Sequence, residues 1–198
     1  MERDREGLLR ALADQVHICL ECRLAESRRL AVVGEGPLDA ELLWVGEAPG
    51  AAEDRAGRPF VGASGRFLRR EMEAAGLDPA RMYITNVVKC RPPGNRKPRP
   101  DEIAICTALY LVRQVDLIAP RALVALGATA AEALLAGEVR MTAEHGTWRH
   151  DGDLSRRPLP VFITYHPAAA LRNERWREEM RADLRKLAES RERVAYGR

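Results

Sequence analysis

Four short apolar runs alternate with segments of helical periodicity, and this alternation constrains the fold more than any other feature of the sequence. The runs are residues 42–45, 83–88, 122–126 and 161–164. Short apolar runs bounded by turn residues are typical of strands buried on both faces, and helices between such strands imply parallel pairing. The pattern therefore predicts an α/β fold: a three-layer α/β/α sandwich with a central, mainly parallel four-stranded sheet.

The segments between the runs carry apolar residues three or four positions apart, which predicts helices. The predicted helices are residues 5–16, residues 65–75, a segment that has Asp101 as its N-cap and ends before Pro120, residues 128–135 and residues 174–188. Residues 47–64 and the proline-rich residues 91–100 are predicted to be loops. Because no repeat or linker divides the sequence, residues 1–198 are expected to form a single domain that ends in a charged helix.

The charge pattern weakly favours an anionic partner. The formal net charge is only +3, but arginine outnumbers lysine, and guanidinium groups bind phosphate in a bidentate geometry. Arginine in place of lysine on a solvated surface would give the same composition. The first residues mix acids with bases, and no apolar run reaches the roughly 18 residues of a membrane span. A cytoplasmic protein without membrane contact is expected.

The cysteines fall into two pairs that indicate a metal site. Cys19 and Cys22 form a C-x-x-C pair next to a helix end, whereas Cys90 and Cys106 flank the proline-rich loop. Four thiolates are the full ligand set of a [4Fe-4S] cluster or of a structural zinc ion. The spacing alone leaves three interpretations open: a cluster, a zinc ion or four thiols without a metal.

Polar residues follow three of the apolar runs. The first run leads into Gly46-Glu47-Ala48-Pro49-Gly50 and then Glu53-Asp54, which lack the lysine and the spacing of a phosphate-binding loop. Asn86 stands near the end of the second run, and His166-Pro167 follows the fourth. Parallel strands end at one edge of a sheet, so these residues are predicted to lie in one site. Each also has a structural interpretation: a tight turn with solvated acids, an amide that caps a strand and a structural histidine.

In chain order these motifs resemble those of the family 4 uracil-DNA glycosylases, the iron–sulfur cluster type of the uracil-DNA glycosylase superfamily. The resemblance extends from about residue 19 to residue 172. It rests on the cysteine spacing and on these segments: Gly46-Glu47-Ala48-Pro49-Gly50, Glu53-Asp54, Gly57-Arg58-Pro59-Phe60-Val61-Gly62, Thr85-Asn86-Val87-Val88-Lys89-Cys90-Arg91-Pro92-Pro93 and His166-Pro167.

The resemblance implies a monofunctional glycosylase that hydrolyses the N-glycosidic bond of uracil in DNA, leaves an abasic site and initiates base excision repair. It also implies an N-terminal segment that binds a [4Fe-4S] cluster together with the proline-rich loop, through Cys19, Cys22, Cys90 and Cys106. The expected partner is uracil-containing DNA, single- or double-stranded, and the expected state is a monomer.

By the same resemblance, several residues bind the extruded base. Phe60 stacks on uracil, Asn86 reads its Watson–Crick edge, and Gly46, Glu47 and Ala48 line the pocket. Breaking the glycosidic bond leaves negative charge on the base, so a donor aimed at uracil O2 stabilises the leaving group.

Further residues carry the remaining roles. His166 is the expected donor to O2, Leu171 fills the vacated stack and Arg172 holds a phosphate. Arg91 and Arg96 of the proline-rich loop are expected to contact DNA.

The attacking water has no obvious ligand, because the position two residues after Gly46 is Ala48, where the family 1 enzymes have an aspartate. Glu47 is the first choice as the residue that positions the water, with Glu53 or Asp54 as alternatives. Glu53 is also the candidate that excludes the methyl group of thymine.

Two other classes of function stay open. One is a non-catalytic DNA-binding protein that uses the same fold and cluster as a damage sensor or polymerase accessory. The other is a zinc-dependent nucleotide hydrolase, although the sequence lacks a visible triad of histidine and carboxylate ligands.

Overall fold

The computed structural model describes residues 2–135, 137–152, 154 and 158–196. The helices are α1 (Glu2–Ile18), α2 (Ala51–Ala56), α3 (Ala63–Ala74), α4 (Pro100–Cys106), α5 (Val112–Ile118), α6 (Ala128–Leu135), α7 (Met141–Glu144), α8 (Pro167–Ala170) and α9 (Glu174–Tyr196). The strands are β1 (Leu42–Gly46), β2 (Tyr83–Asn86), β3 (Ala122–Leu126), β4 (Thr147–Gly152) and β5 (Leu159–Thr164).

The strands form one sheet in the order β2-β1-β3-β5-β4. The first four strands of this order pair in parallel, and β4 pairs antiparallel with β5 at the edge. The prediction of a mainly parallel sheet is confirmed. The predicted strand number of four is wrong, because the described residues include β4 as a fifth strand. Edge strands face water on one side, and the mostly polar, partly exposed β4 does not show the apolar run that revealed the others.

Two apolar layers cover the two faces of the sheet. Residues alternate along each strand: Leu43 and Val45 point to the layer that contains α1, α5 and α6, whereas Trp44 points to the layer that contains α3 and α9. This alternation follows from the two-residue period of an extended chain. The three-layer α/β/α arrangement predicted from the sequence is therefore confirmed.

The helix boundaries correct two predictions. Residues 51–56, predicted as loop, form α2, which is a short helix with too few residues to show a periodic pattern. The helix predicted to have Asp101 as its N-cap has Arg99 in that position instead, with Pro100 in its first turn. Proline suits this position because its missing N–H group would be unpaired there. Between α4 and α5, residues Thr107–Leu111 form a π-helix directly after Cys106.

No helix among the described residues is long and apolar enough to cross a membrane.

Replacing Leu43 by alanine is expected to lower the free energy of unfolding by about 2–5 kcal/mol, since the substitution opens a cavity in a packed core. Leu43 is fully buried in the layer against α1 and α5. Denaturant unfolding measures the change. As a control, Leu8→Ala on the exposed side of α1, where the leucine is 48% exposed, should change stability by less than about 0.5 kcal/mol. Equal effects of the two substitutions would contradict the assigned core.

Candidate functional site

A cavity of about 360 Å³ opens where β1, β2 and β5 end. It brings together eight of the residues predicted from the sequence: Glu47, Ala48, Glu53, Phe60, Asn86, Arg96, His166 and Arg172. A larger surface cavity of about 540 Å³ lies at the opposite ends of β1 and β2, near Asp39 and Asp78, and contains none of them. Because the smaller cavity collects the chemically distinctive residues, we assign the functional site to it.

Asn86 lies at the floor of this cavity, at the end of β2 and in register with Gly46. A Cβ atom on Gly46 would lie 2.5 Å from Asn86 Oδ1 and 2.5 Å from Phe60 Cζ. Gly46 therefore does not line the cavity itself; its missing side chain lets the amide and the ring approach each other. Asn86 Oδ1 is buried and has no hydrogen-bond partner among the described residues. An unpaired buried acceptor is costly and is expected where a ligand completes the site.

The Phe60 ring forms a wall of the cavity, with its centroid 6.2 Å from that of the His166 ring. Phe60 has a φ of 52°, in the left-handed region that non-glycine residues rarely adopt. Gly65 permits this conformation, because a Cβ atom there would lie 1.8 Å from the carbonyl oxygen of Phe60. The loop from α2 to α3 thus presents the aromatic ring in a strained conformation, as is common in binding sites.

His166 follows β5 and is the N-cap of α8. Its Nδ1 atom accepts a hydrogen bond of 3.1 Å from the backbone N–H of Ala168, so the proton of the neutral ring is on Nε2. The residue is partly exposed, but Nε2 is shielded from solvent and lacks a partner among the described residues. The pKa of His166 is lowered to about 4, mainly by burial and also by the positive charge of Arg172, against the opposing effect of Glu53. The site therefore holds a neutral imidazole with an unused donor.

The three acids differ in their surroundings. Glu47 is half-buried and accepts a hydrogen bond of 2.6 Å from Thr129 Oγ1. Glu53 accepts one of 2.7 Å from the backbone N–H of Gly62, which holds the loop that carries Phe60. Asp54 accepts one from the backbone N–H of Arg29 and does not line the cavity. Glu47 and Glu53 thus stay candidates for contact with a substrate, whereas the Asp54 carboxylate anchors another segment.

Of the four residues predicted to bind DNA, Arg96 and Arg172 line the cavity, whereas Arg91 and Leu171 are each next in sequence to a residue that does. Arg172 is exposed and lines the mouth, while Leu171 is half-buried against the apolar layer. Arg91 donates to Asn95 Oδ1 at 2.7 Å.

Arg96 is held by the fully buried Glu102 through two hydrogen bonds of 2.8 and 2.6 Å, and this interaction lowers the pKa of Glu102. The Arg96 guanidinium therefore also has a structural role that its sequence position did not indicate.

The four cysteines line a second, mainly apolar cavity between α1, the loop after β2 and the end of α4. All four are free thiols. N–H groups point at them: Arg28 donates to Cys90 Sγ and the Lys89 backbone to Cys106 Sγ, both at 3.3 Å. Burial raises the pKa of Cys106 to about 11 and also raises those of Cys22 and Cys90.

Four sulfurs in an apolar hollow with N–H donors fit an iron–sulfur cluster. Among the described residues, no group of three or more histidine, cysteine or acidic side chains has the arrangement that holds a single metal ion.

Sequence reasoning missed some residues of the site. Ser64, Pro92 and Asn95 line the cavity, and Thr129 orients Glu47. Thr129 follows the end of β3, so its place at a strand end was the available signal. Ser64 and Asn95 lie in segments whose course the pattern did not predict.

Comparisons with known proteins show the family of this chain. The family model of the uracil-DNA glycosylase superfamily matches residues 33–188. The type-4 uracil-DNA glycosylase of Sulfurisphaera tokodaii is 41% identical over 91% of this chain and 84% of its own length, and that of Pyrobaculum aerophilum is 41% identical over 89% and 91%. The type-5 uracil-DNA glycosylase of Thermus thermophilus is 43% identical, over 68% of each chain. By the extent of these matches, the chain belongs to the uracil-DNA glycosylase superfamily and, within it, to the type-4 uracil-DNA glycosylases.

Proposed function

We propose that this protein removes uracil from DNA by hydrolysing the N-glycosidic bond, which leaves an abasic site and initiates base excision repair. One observation carries the proposal: in a cavity that Phe60 lines, a buried acceptor, Asn86 Oδ1, and a buried donor, His166 Nε2, have no hydrogen-bond partner in the part of the chain that the structure describes. Uracil presents a donor at N3 and acceptors at O4 and O2, so it can complete both. The names of the relatives support the same substrate.

Recognition of the base follows from the fixed groups of the cavity. The target nucleotide has to leave the stack to reach them, because its glycosidic bond is inaccessible in a duplex. Phe60 would stack on the extruded ring, while Asn86 accepts from N3–H and donates to O4. Cytosine has an amino group in place of O4 and no proton on N3, so it would leave the amide mispaired at a cost of about 1–3 kcal/mol. Glu47 and Ala48, which are both half-buried, line the cavity on another side.

Leaving-group stabilisation is the proposed role of His166. As the bond breaks, negative charge accumulates on uracil O2, and a pre-positioned donor in a shielded site lowers the energy of that state. A neutral ring is sufficient to stabilise the charge on O2, because Nε2–H donates a hydrogen bond without transferring its proton. The hydrogen bond from the Ala168 N–H to Nδ1 keeps the proton on Nε2. Water then attacks the sugar, and we propose that Glu47, held by Thr129, positions it.

DNA binding is proposed for the residues around the mouth. Arg172 is exposed there and can hold a phosphate next to the extruded nucleotide. Leu171 would fill the space that the base vacates, and Arg91 and Arg96 would add contacts to the backbone. We propose that the protein acts as a monomer, on both single- and double-stranded DNA.

The cysteine cavity is the proposed site of a [4Fe-4S] cluster, held by Cys19, Cys22, Cys90 and Cys106. When bound, the cluster would supply a rigid cross-link between the N-terminal segment and the loop after β2. None of its ligands lines the uracil cavity, so its proposed contribution is structural.

An oligonucleotide that contains one uracil tests the activity and the role of His166. We expect strand breakage after alkali with the wild-type protein, and a rate about a hundred- to a thousandfold lower for His166→Ala, because the donor to O2 is lost. DNA affinity, measured by anisotropy, should stay nearly unchanged. Binding of the uracil strand without breakage would favour the DNA-binding sensor over the enzyme.

The pH profile adds a control to this test. Because the pKa of His166 lies near 4, the ring should stay neutral, and the rate should show no step at the ordinary histidine pKa of about 6.5. The rate should fall only as the pH approaches 4, when protonation disrupts the hydrogen bond at Nδ1. A rate that rises steeply across about pH 6 to 7 and loses this step in His166→Ala would contradict the neutral-donor role.

Asn86→Asp is expected to shift base selectivity from uracil towards cytosine. A carboxylate cannot donate to O4 of uracil but accepts from the amino group of cytosine, so the ratio of the two rates should fall by at least about tenfold. Competing oligonucleotides measure this ratio. Asn86→Ala is the matched control, since it should lose activity on uracil without gaining any on cytosine.

The purified protein should be brown, with broad absorbance near about 400 nm from thiolate-to-iron charge transfer. Cys90→Ala should remove this absorbance, because it deletes one of the four proposed ligands. Elemental analysis for iron and zinc gives the second readout. A colourless preparation that contains one zinc ion per chain would favour the zinc site instead.

A further inference from the structure

Lys89 is a buried cation at the edge of the cysteine cavity. Its side chain is 1% exposed, and its Nζ atom donates to Asn86 O at 2.6 Å and to Thr85 Oγ1 at 2.8 Å. Both acceptors are neutral, and no salt bridge to Lys89 is found in the part of the chain that the structure describes. Burying an ammonium group without a carboxylate is costly; the sulfurs of Cys106 and Cys90 offset part of this cost, and the two hydrogen bonds hold the group in place.

The first of these bonds fixes the peptide group that follows Asn86. The carbonyl oxygen of this peptide accepts from Lys89 Nζ, and its N–H, on Val87, donates to Gly46 O at 2.8 Å. With both polar atoms held, rotation of the peptide plane is restrained. The orientation of this plane helps to set the direction of the Asn86 side chain, whose Oδ1 atom has no hydrogen-bond partner among the described residues.

The main chain of Lys89 is fastened to the cysteine site. Its N–H donates to Cys106 Sγ at 3.3 Å, and its carbonyl oxygen accepts from Val32 N at 2.7 Å. The next residue is Cys90, whose sulfur accepts from Arg28. A single residue therefore touches the cysteine cavity with its backbone and the base-reading residue with its side chain.

We propose that Lys89 is a positioning residue that links the cysteine site to the uracil cavity by holding the Asn86 peptide in place. This inference rests on the proposed function of Asn86 as the reader of the base. It connects the cysteine site to base recognition. A ligand that restrains Cys90 and Cys106 would also restrain Lys89 and, through the hydrogen bond of Lys89, the Asn86 peptide.

A double-mutant cycle on the intact protein tests this link. Lys89→Met keeps the length and apolar stem of the side chain but removes its donors. If Lys89 acts through Asn86, the substitution should lower kcat/KM for a uracil oligonucleotide by about tenfold in the wild-type background and by less than about twofold in Asn86→Ala. Equal fold-losses in both backgrounds would overturn the proposal. Absorbance near about 400 nm must be retained, so that loss of a cluster is not mistaken for loss of the lysine.

Hydrogen exchange gives a readout that does not depend on catalysis. In Lys89→Met the amide of Val87 should exchange faster, since the clamp on its peptide is released. Thr85→Val is the control: it removes the other acceptor of Lys89, and with it the hydrogen bond from Thr85 Oγ1 to Val33 O, but keeps the bond to Asn86, so exchange at Val87 should stay as in the wild type. Unchanged exchange in Lys89→Met would contradict the link.

If Lys89→Met fails to fold, Lys89→Leu, which also lacks a donor, takes its place in both experiments. A wild-type protein that leaves uracil in DNA would refute the proposed function, whereas the exchange measurement would still decide whether Lys89 holds the Asn86 peptide. The two failures are therefore distinguishable.

Discussion

The site depends on the parallel pairing of β1, β2, β3 and β5, because parallel strands deliver the residues that follow them to one edge of the sheet. Gly46, Asn86 and His166 are far apart in sequence; the first two end strands, and His166 lies two residues after the end of β5. Gly46 and Asn86 are paired neighbours in the sheet, so the backbone hydrogen bonds between β1 and β2 fix the distance between them. The loops supply the walls of the cavity, which Phe60 and the residues around the mouth form.

The cavity keeps polar atoms unpaired in a shielded place, and the surrounding structure compensates for this cost. Asn86 Oδ1 and His166 Nε2 have no hydrogen-bond partner among the described residues, whereas the Asn86 carbonyl oxygen and His166 Nδ1 each accept a hydrogen bond. Such a site is pre-organised, since the groups that meet the substrate are already oriented before it arrives. The same arrangement keeps the imidazole neutral, because burial next to Arg172 disfavours a second positive charge. Burial and the charge of Arg172 therefore both favour the neutral form of His166.

Much of this could be predicted from residues that carry a strong local signal. Apolar runs revealed four strands, and distinctive residues at strand ends revealed His166, Asn86 and Glu47. The edge strand β4 could not be found in this way, because its solvent-facing side removes the apolar pattern. The expectation that Asp101 caps a helix was wrong, since the chain uses Pro100 in the first turn, and Glu102 returns to the backbone N–H of Arg99. Contacts between distant segments, such as Thr129 with Glu47, leave no periodic trace in a sequence.

The sequence by itself determined the class of fold, the group of strand-end residues and the four cysteines, because periodicity and residue chemistry are local properties. Only the tertiary structure decided which polar atoms stay unpaired, that Asp54 anchors Arg29 instead of lining the cavity, and that Arg96 is engaged by a buried carboxylate. It also placed the buried Lys89 between the cysteines and Asn86. These facts depend on which distant groups meet in space, and that is set by packing across the whole chain.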